Sequence, residues 1–337
     1  MRAGRGLRCN KLRFGTVLSV REIHQCLARQ CSTNVCSNNL KQLAIGLHNF
    51  HDTRRGLPPL VLGPERASAF TLMLPYCEQQ PMYDALDVRN GDLNGGIGAY
   101  LGAPMVDNWN LLSSSEQNAA GSLMYLQCPM RRQGIQISLS QEMPGGTSDY
   151  AVVMMTKSGK KNDWVNYYDP CKPEHIDHIS STLRVGKVDG CPSPTNENYR
   201  RAASRDTMAR ILDGTSNTIV FGEKHIRPGE FGRCCGDTFD KGADGTWLFA
   251  GGNNRQYTIA RSAYYPFTRE PTDFNGQDGR ADGGPLNDFG FGSHHEEVVL
   301  MCRGDGSVVD LSKTTDVEML RTISIVDDGI KEYPEGF

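Results

Sequence analysis

Residues 290–312, GFGSHHEEVVLMCRGDGSVVDLS, constrain the fold more tightly than any other stretch. Asp305-Gly306 between two β-branched, apolar runs is a hairpin signal, because a type I′ turn needs positive φ at both central positions. With these two residues at the tip, Cys302 stands opposite Val309 and Leu300 opposite Leu311 on one face. Arg303, Met301, Val308 and Asp310 then form the more polar face, since strand side chains alternate with period two. His295 lies ten residues before Asp305, up to about 33 Å away along an extended chain. The two are therefore not read as a catalytic pair: Asp305 and Gly306 set the turn, and His295 fixes the hairpin base by a hydrogen bond.

A helix is expected over residues 37–55, where Leu40, Leu43, Ala44, Leu47 and Phe50 make one stripe at 3.6-residue spacing. Ser37 or Asn38 caps it, and Gly56 with Pro58-Pro59 stops it. Residues 67–86 read as a second helical region broken by Pro75 and Pro81. Residues 90–120, rich in Gly, Asn and Ser, read as a surface excursion with little regular structure. Short strands are expected at 123–129, 148–155, 218–221 and 246–249. Asp213-Gly214 marks the turn into the third of these, and Glu223 ends its apolar run, either facing a polar partner or exposed at the strand end. Thr315 and Glu318 form a capping box ahead of a helix whose face is Met319, Leu320, Ile323 and Val326.

A net charge of −3 without clustered basic residues gives no nucleic-acid footprint. Eleven cysteines are many for a reducing compartment, yet no C-x-x-C pair occurs to suggest a zinc ribbon or a redox motif. Cys26, Cys31 and Cys36 fall on different faces of a helix and read as structural or incidental thiols. Cys171 and Cys191 are expected to bridge across their loop if the compartment is oxidising, and Cys234 and Cys235 to have separate partners. The pairs His48/His51 and His175/His178 match no defensible metal motif. The Asp-rich loop holding Asp273, Asn275, Asp278 and Asp282 is a calcium candidate, although Gln277 breaks the EF-hand pattern and turn chemistry explains the composition equally well. No stretch has the roughly 20 apolar residues of a membrane span.

Several of these pieces together resemble one family. They are CSNNLKQLAIGLHNFHD from Cys36, LPYCEQQPMYDAL from Leu74, QCP at Gln127, SDYA at Ser148, DGTSNTIVFGE from Asp213, and FGSHH followed by DGSV from Phe291. In this order they are similar to the bacterial, mainly planctomycete, proteins carrying domain of unknown function 1559, the H-x9-DG pseudopilin-like proteins. The motif falls on His295, Asp305 and Gly306, with Asp213, Gly214 and Glu223 as further family positions. The resemblance implies an α+β fold, a pilin-like N-terminal helix packed on an antiparallel sheet with long loop insertions. It spans residues 36–330 as one domain, with 1–35 an atypical N-terminal segment and 331–337 a tail.

The implied role is structural and non-enzymatic, outside the cytoplasm, with pilin-like or secretion-system partners of a type II secretion or type IV pilus kind. The family usually opens with a basic leader, Gly-Phe-Thr-Leu-Ile-Glu and a long apolar helix anchored in the inner membrane. Residues 1–35 show neither that cleavage motif nor that apolar run. The alternative is a solute- or glycan-binding module, motivated by long loops and by Trp109, Trp164 and Trp247. An enzyme ranks last, since no G-x-S-x-G, P-loop or H-E-x-x-H motif occurs.

Overall fold

The computed structural model describes residues 20–86, 104–157, 169, 171–189, 201–235, 243–250, 256–273 and 289–327, with side chains from residue 33 onward save 174, 188, 189, 201, 202 and 256. The architecture is α+β. Helix α1 (Val20–Arg54) lies against a five-stranded sheet of β1 (Tyr150–Met154), β4 (Ile219–Glu223), β5 (Ala260–Ser262), β6 (Val298–Arg303) and β7 (Val308–Ser312). The strand order is β5-β1-β4-β6-β7, and β2 (Lys187–Asp189) pairs with β3 (Arg201–Ala203) in a separate ribbon. The sheet is mixed where antiparallel pairing was expected throughout: β5 joins β1 in parallel, while the other pairs are antiparallel.

Helix α1 starts well before the 37–55 expectation. Its stripe of Leu40, Leu43, Ala44, Leu47 and Phe50 is buried as the spacing implies. The helix stops where Arg55 turns to positive φ ahead of Gly56. No helix among the described residues is long and apolar enough to cross a membrane. Pro75 and Pro81 divide the next region into α2 (Ala69–Met73), a 3-10 turn (Leu74–Cys77) and α3 (Gln80–Ala85).

Four local expectations are corrected. Within residues 90–120, the part described from residue 104 carries α4 (Met105–Leu111) and α5 (Ser114–Ala120). Ser113 and Glu116 make a reciprocal capping box for α5, a signal that the polar composition obscured. Residues 123–129 are no strand but a 3-10 turn (Met124–Leu126), because Asn39 of α1 donates to the carbonyls of Met124 and Gln127 and takes them out of any ladder. Residues 246–249 make only isolated bridges, to Thr147 and Ala67. The last helix, α7 (Val317–Thr322), is capped by Asp316, whose carboxylate accepts from the N–H groups of Glu318 and Met319, so the cap is one residue later than Thr315. A short α6 (Pro173–Asp177) completes the helices described.

The hairpin forms where expected with a different turn and register. Arg303 N–H donates to Ser307 O and Gly306 N–H to Arg303 O, closing a three-residue loop. Gly306 takes φ +87° and Asp305 does not have positive φ. This is a type I turn followed by a left-handed residue, not type I′. The extra loop residue moves every pair by one: Cys302 faces Val308, Met301 faces Val309 and Val299 faces Leu311. Strand β6 is central, so residues 299–302 are buried on both faces, and the polar-face expectation fails for it.

Beneath the sheet face turned away from α1 lies a row of buried charges. Arg131 and Arg132 both reach Asp149 Oδ1, at 3.0 and 2.9 Å. Arg132 also meets Asp244, and Lys224 Nζ is 3.2 Å from Asp244 Oδ1. Burial opposes ionisation of Asp244, but Arg132 and Lys224 outweigh it and hold its pKa at about 2. Burial drives Lys224 down to about 7 against the pull of Asp244. Cys234 and Cys235, expected to part, are joined to each other, Cys235 having positive φ (67°). Cys171 is disulfide-bonded; Cys191 lies outside the described residues.

Two outcomes follow for stability. Gly306→Ala should cost about 1–2 kcal/mol, the penalty of an L-residue in the left-handed region, read as a lower urea midpoint. Asp244→Asn should cost about 3–5 kcal/mol at neutral pH, because it leaves the buried Lys224 without its carboxylate. The folded pKa of Asp244 lies below its unfolded value, so its stabilisation is present above about pH 4 and is lost as pH falls toward 2. Denaturation curves across that window should converge for wild type and variant.

Candidate functional site

Two groups of residues sit at opposite ends of β6. At its C-terminal end the hairpin loop docks on the turn that begins at Asp213. Gly304 N–H donates to Thr218 O, and Asp305 N–H to Thr215 O. Asp305 Oδ1 accepts from Ser307 N–H. Gly214 has φ +96°, which the turn into β4 requires. Asn217 closes that turn onto Asp213 O. His48 of α1 joins the same end, with Nε2 3.0 Å from Gly304 O. Asp305, Gly306, Asp213 and Gly214 thus meet as architecture, and His295 does not touch Asp305.

At the other end stand Cys36, Cys128, Glu223 and His295, brought from α1, the loop after the 3-10 turn, the end of β4 and the loop before β6. Their four ligand-type atoms all lie within 4.8 Å of one another. His295 is 4% exposed and the other three are fully buried. Strand alternation explains the placement of Glu223: it shares with Phe221 the face toward α1, while Lys224 points to the charge row behind. Tyr150 stands directly across from Glu223 in β1 and accepts a hydrogen bond from Asn39 of α1.

Each member is held from outside the group. Glu223 Oε2 accepts from Leu300 N–H at 2.9 Å. His295 Nδ1 lies 3.2 Å from Thr33 Oγ1, and its backbone N–H donates to Ser293 Oγ. Cys128 N–H donates to Asp149 Oδ2 at 2.6 Å, tying the group to the buried charges. The atoms left over face inward. His295 Nε2 is 3.1 Å from Glu223 Oε1, an ion pair when the imidazole is protonated, and 3.9 Å from Cys128 Sγ. The Cys36 and Cys128 sulfurs are 3.1 Å apart and not bonded. Burial opposes the imidazolium of His295, but the adjacent Cys128 and Glu223 outweigh it and lift its pKa to about 10. The contact with Cys36 and burial push the Cys128 thiol well up.

Chemically, this wiring is not that of a Cys–His–acid relay. There the acid orients one ring nitrogen while the other serves the nucleophile; here Cys128 and Glu223 both address Nε2. His295, expected to fix the hairpin base by a hydrogen bond, meets Thr33 Oγ1 and Glu223 Oε1 just before β6. The exposed alternative for Glu223 is overturned. That Cys36, read as a structural or incidental thiol, and Cys128, noted only in QCP, come together with Glu223 and His295 is what the sequence reading missed.

The remaining candidates stay apart. His51 pairs with Asp52 and accepts from Met208 N–H, away from the partner of His48. His175 Nδ1 accepts from Asp169 N–H. Asp273 turns its carboxylate onto Glu270 N–H, while Asn275, Asp278 and Asp282 lie outside the described residues. Trp109 and Trp247 are buried, not exposed, and Trp164 lies outside the described residues.

Among curated proteins and among solved structures nothing matches this chain. The family model described as a protein of unknown function (DUF1559) matches residues 28–318. That range takes in α1 from residue 28, the whole five-stranded sheet and all four residues of the buried group, and the chain belongs to the DUF1559 family.

Proposed function

We propose that the protein is a non-enzymatic, pilin-like subunit that works outside the cytoplasm beside a type II secretion or type IV pilus-like assembly. The observation that carries this reading is α1, a 35-residue helix laid along the sheet. Its length is about 52 Å at 1.5 Å per residue, and some 20 Å of that precedes Thr33. A structural role also accords with the docking of the hairpin loop at Gly304 and Asp305 onto Thr215 and Thr218. The solute- or glycan-binding alternative loses support from Trp109 and Trp247, which are core residues.

The test is made in the native organism. A photo-crosslinking amino acid replaces Ile45, which is 57% exposed on α1, and the cells are fractionated. The expected result is recovery in the envelope fraction with crosslinks to a second copy or to another pilin-like protein. Recovery in the cytoplasm without crosslinks would sink the proposal.

A further inference from the structure

We propose that Cys36, Cys128, Glu223 and His295 form a tetrahedral zinc site that fastens α1, the Cys128 loop, β4 and the base of the hairpin to one another.

The donor set is the first argument. Two thiolates, an imidazole and a carboxylate are the ligand types zinc takes in closed four-coordinate sites. Soft sulfur ligands disfavour magnesium and calcium. With metal–sulfur bonds of about 2.3 Å and metal–nitrogen or –oxygen bonds of about 2.0–2.1 Å, tetrahedral ligand atoms stand about 3.3–3.8 Å apart. Three of the six separations lie near those values, 3.1 Å between sulfurs, 3.1 Å from Nε2 to Oε1 and 3.9 Å from Nε2 to Cys128 Sγ, and all six are within 4.8 Å. Closing on an ion takes shifts under about 1 Å, within side-chain reach.

The second argument is what each ligand does with its other atoms. Metal-bound histidines donate their second ring N–H to a fixed partner, and ligating carboxylates are themselves hydrogen-bonded. His295 offers Nδ1 to Thr33, and Glu223 gives Oε2 to Leu300 N–H. The Tyr150 hydroxyl lies against Cys36, and the Cys128 backbone is fixed by Asp149. That leaves Nε2, Oε1 and two sulfurs converging. Glu223 Oε1, fully buried, meets His295 Nε2 at 3.1 Å. A cation at the centre would satisfy all four at once, with loss of the two thiol protons and of the His295 Nε2 proton.

The third argument separates this group from ordinary buried thiols. The sequence separation is large: Cys36 and Cys128 are 92 residues apart, and Cys128 and His295 are 167 apart. Four segments converge on one point, which is where a structural ion stabilises most by closing long loops.

The experiment uses the full chain, expressed with added zinc and desalted. Elemental analysis should find about one zinc per chain, and cobalt(II) in its place should give a thiolate charge-transfer band. The double variant C36S/C128S should retain less than about a tenth of that metal. Thr33→Val keeps all four ligands and the fold; it should weaken zinc binding about 10–100-fold in a chelator competition, the usual effect of removing a histidine's outer partner. This variant decides the matter should the cysteine variants fail to fold. The proposal is overturned if the wild-type chain holds no zinc, if peptide mapping finds a Cys36–Cys128 disulfide in the native protein, or if the folded C36S/C128S chain keeps its zinc.

Discussion

Helix α1 is pinned to the C-terminal hairpin at two points, and the spacing of those points is set by matching lengths. At one end Thr33 and Cys36 meet the His295 group; at the other His48 meets Gly304. From Thr33 to His48 the helix advances about 22 Å. The six residues of β6 advance about 20 Å. The stretch from His295 to Gly304, with β6 at its centre, thus reaches from one anchor on α1 to the other, and its two ends are chemically different because they meet different parts of α1.

The sheet carries a second consequence of that arrangement. Its central strands are buried on both faces, so polar residues there have no water to turn to and must find partners. Strand alternation sorts them: Glu223 faces the thiols and His295, and Lys224 faces Asp244 and Arg132. Cys128 and Asp149 link the two sides through one backbone hydrogen bond. A change in the charge row therefore reaches the Cys128 loop through Asp149. Such rows are costly to assemble and costlier to break.

The α+β class, the α1 stripe, the two proline breaks, β1, β4 and the hairpin were legible from local pattern, because burial and turn chemistry write themselves at short range. The register of β6 against β7 was not, since Asp305-Gly306 looks the same in a two-residue and a three-residue loop; only the sign of φ at Asp305 distinguishes them. The turn at 124–126 escaped because its carbonyls are taken by Asn39, 85 and 88 residues away. The buried group escaped for the same reason. Glu223, His295, Cys36 and Cys128 each sit in ordinary local sequence, and no spacing rule joins partners on four separate elements. The family pieces did contain all four, without saying that they touch.

The order in which those pieces leave the ribosome gives the buried group a history. Cys36 emerges 259 residues before His295 and cannot be enclosed until the hairpin arrives. At about 5–20 residues per second, that is a delay of roughly 13–50 seconds. During it, two thiols that end up sealed from solvent are open to oxidants, to metal ions and to the other cysteines of the chain. The last eighth or so of the polypeptide thus decides the chemical fate of residues made near its beginning, and a chain released before residue 295 would carry those thiols unprotected.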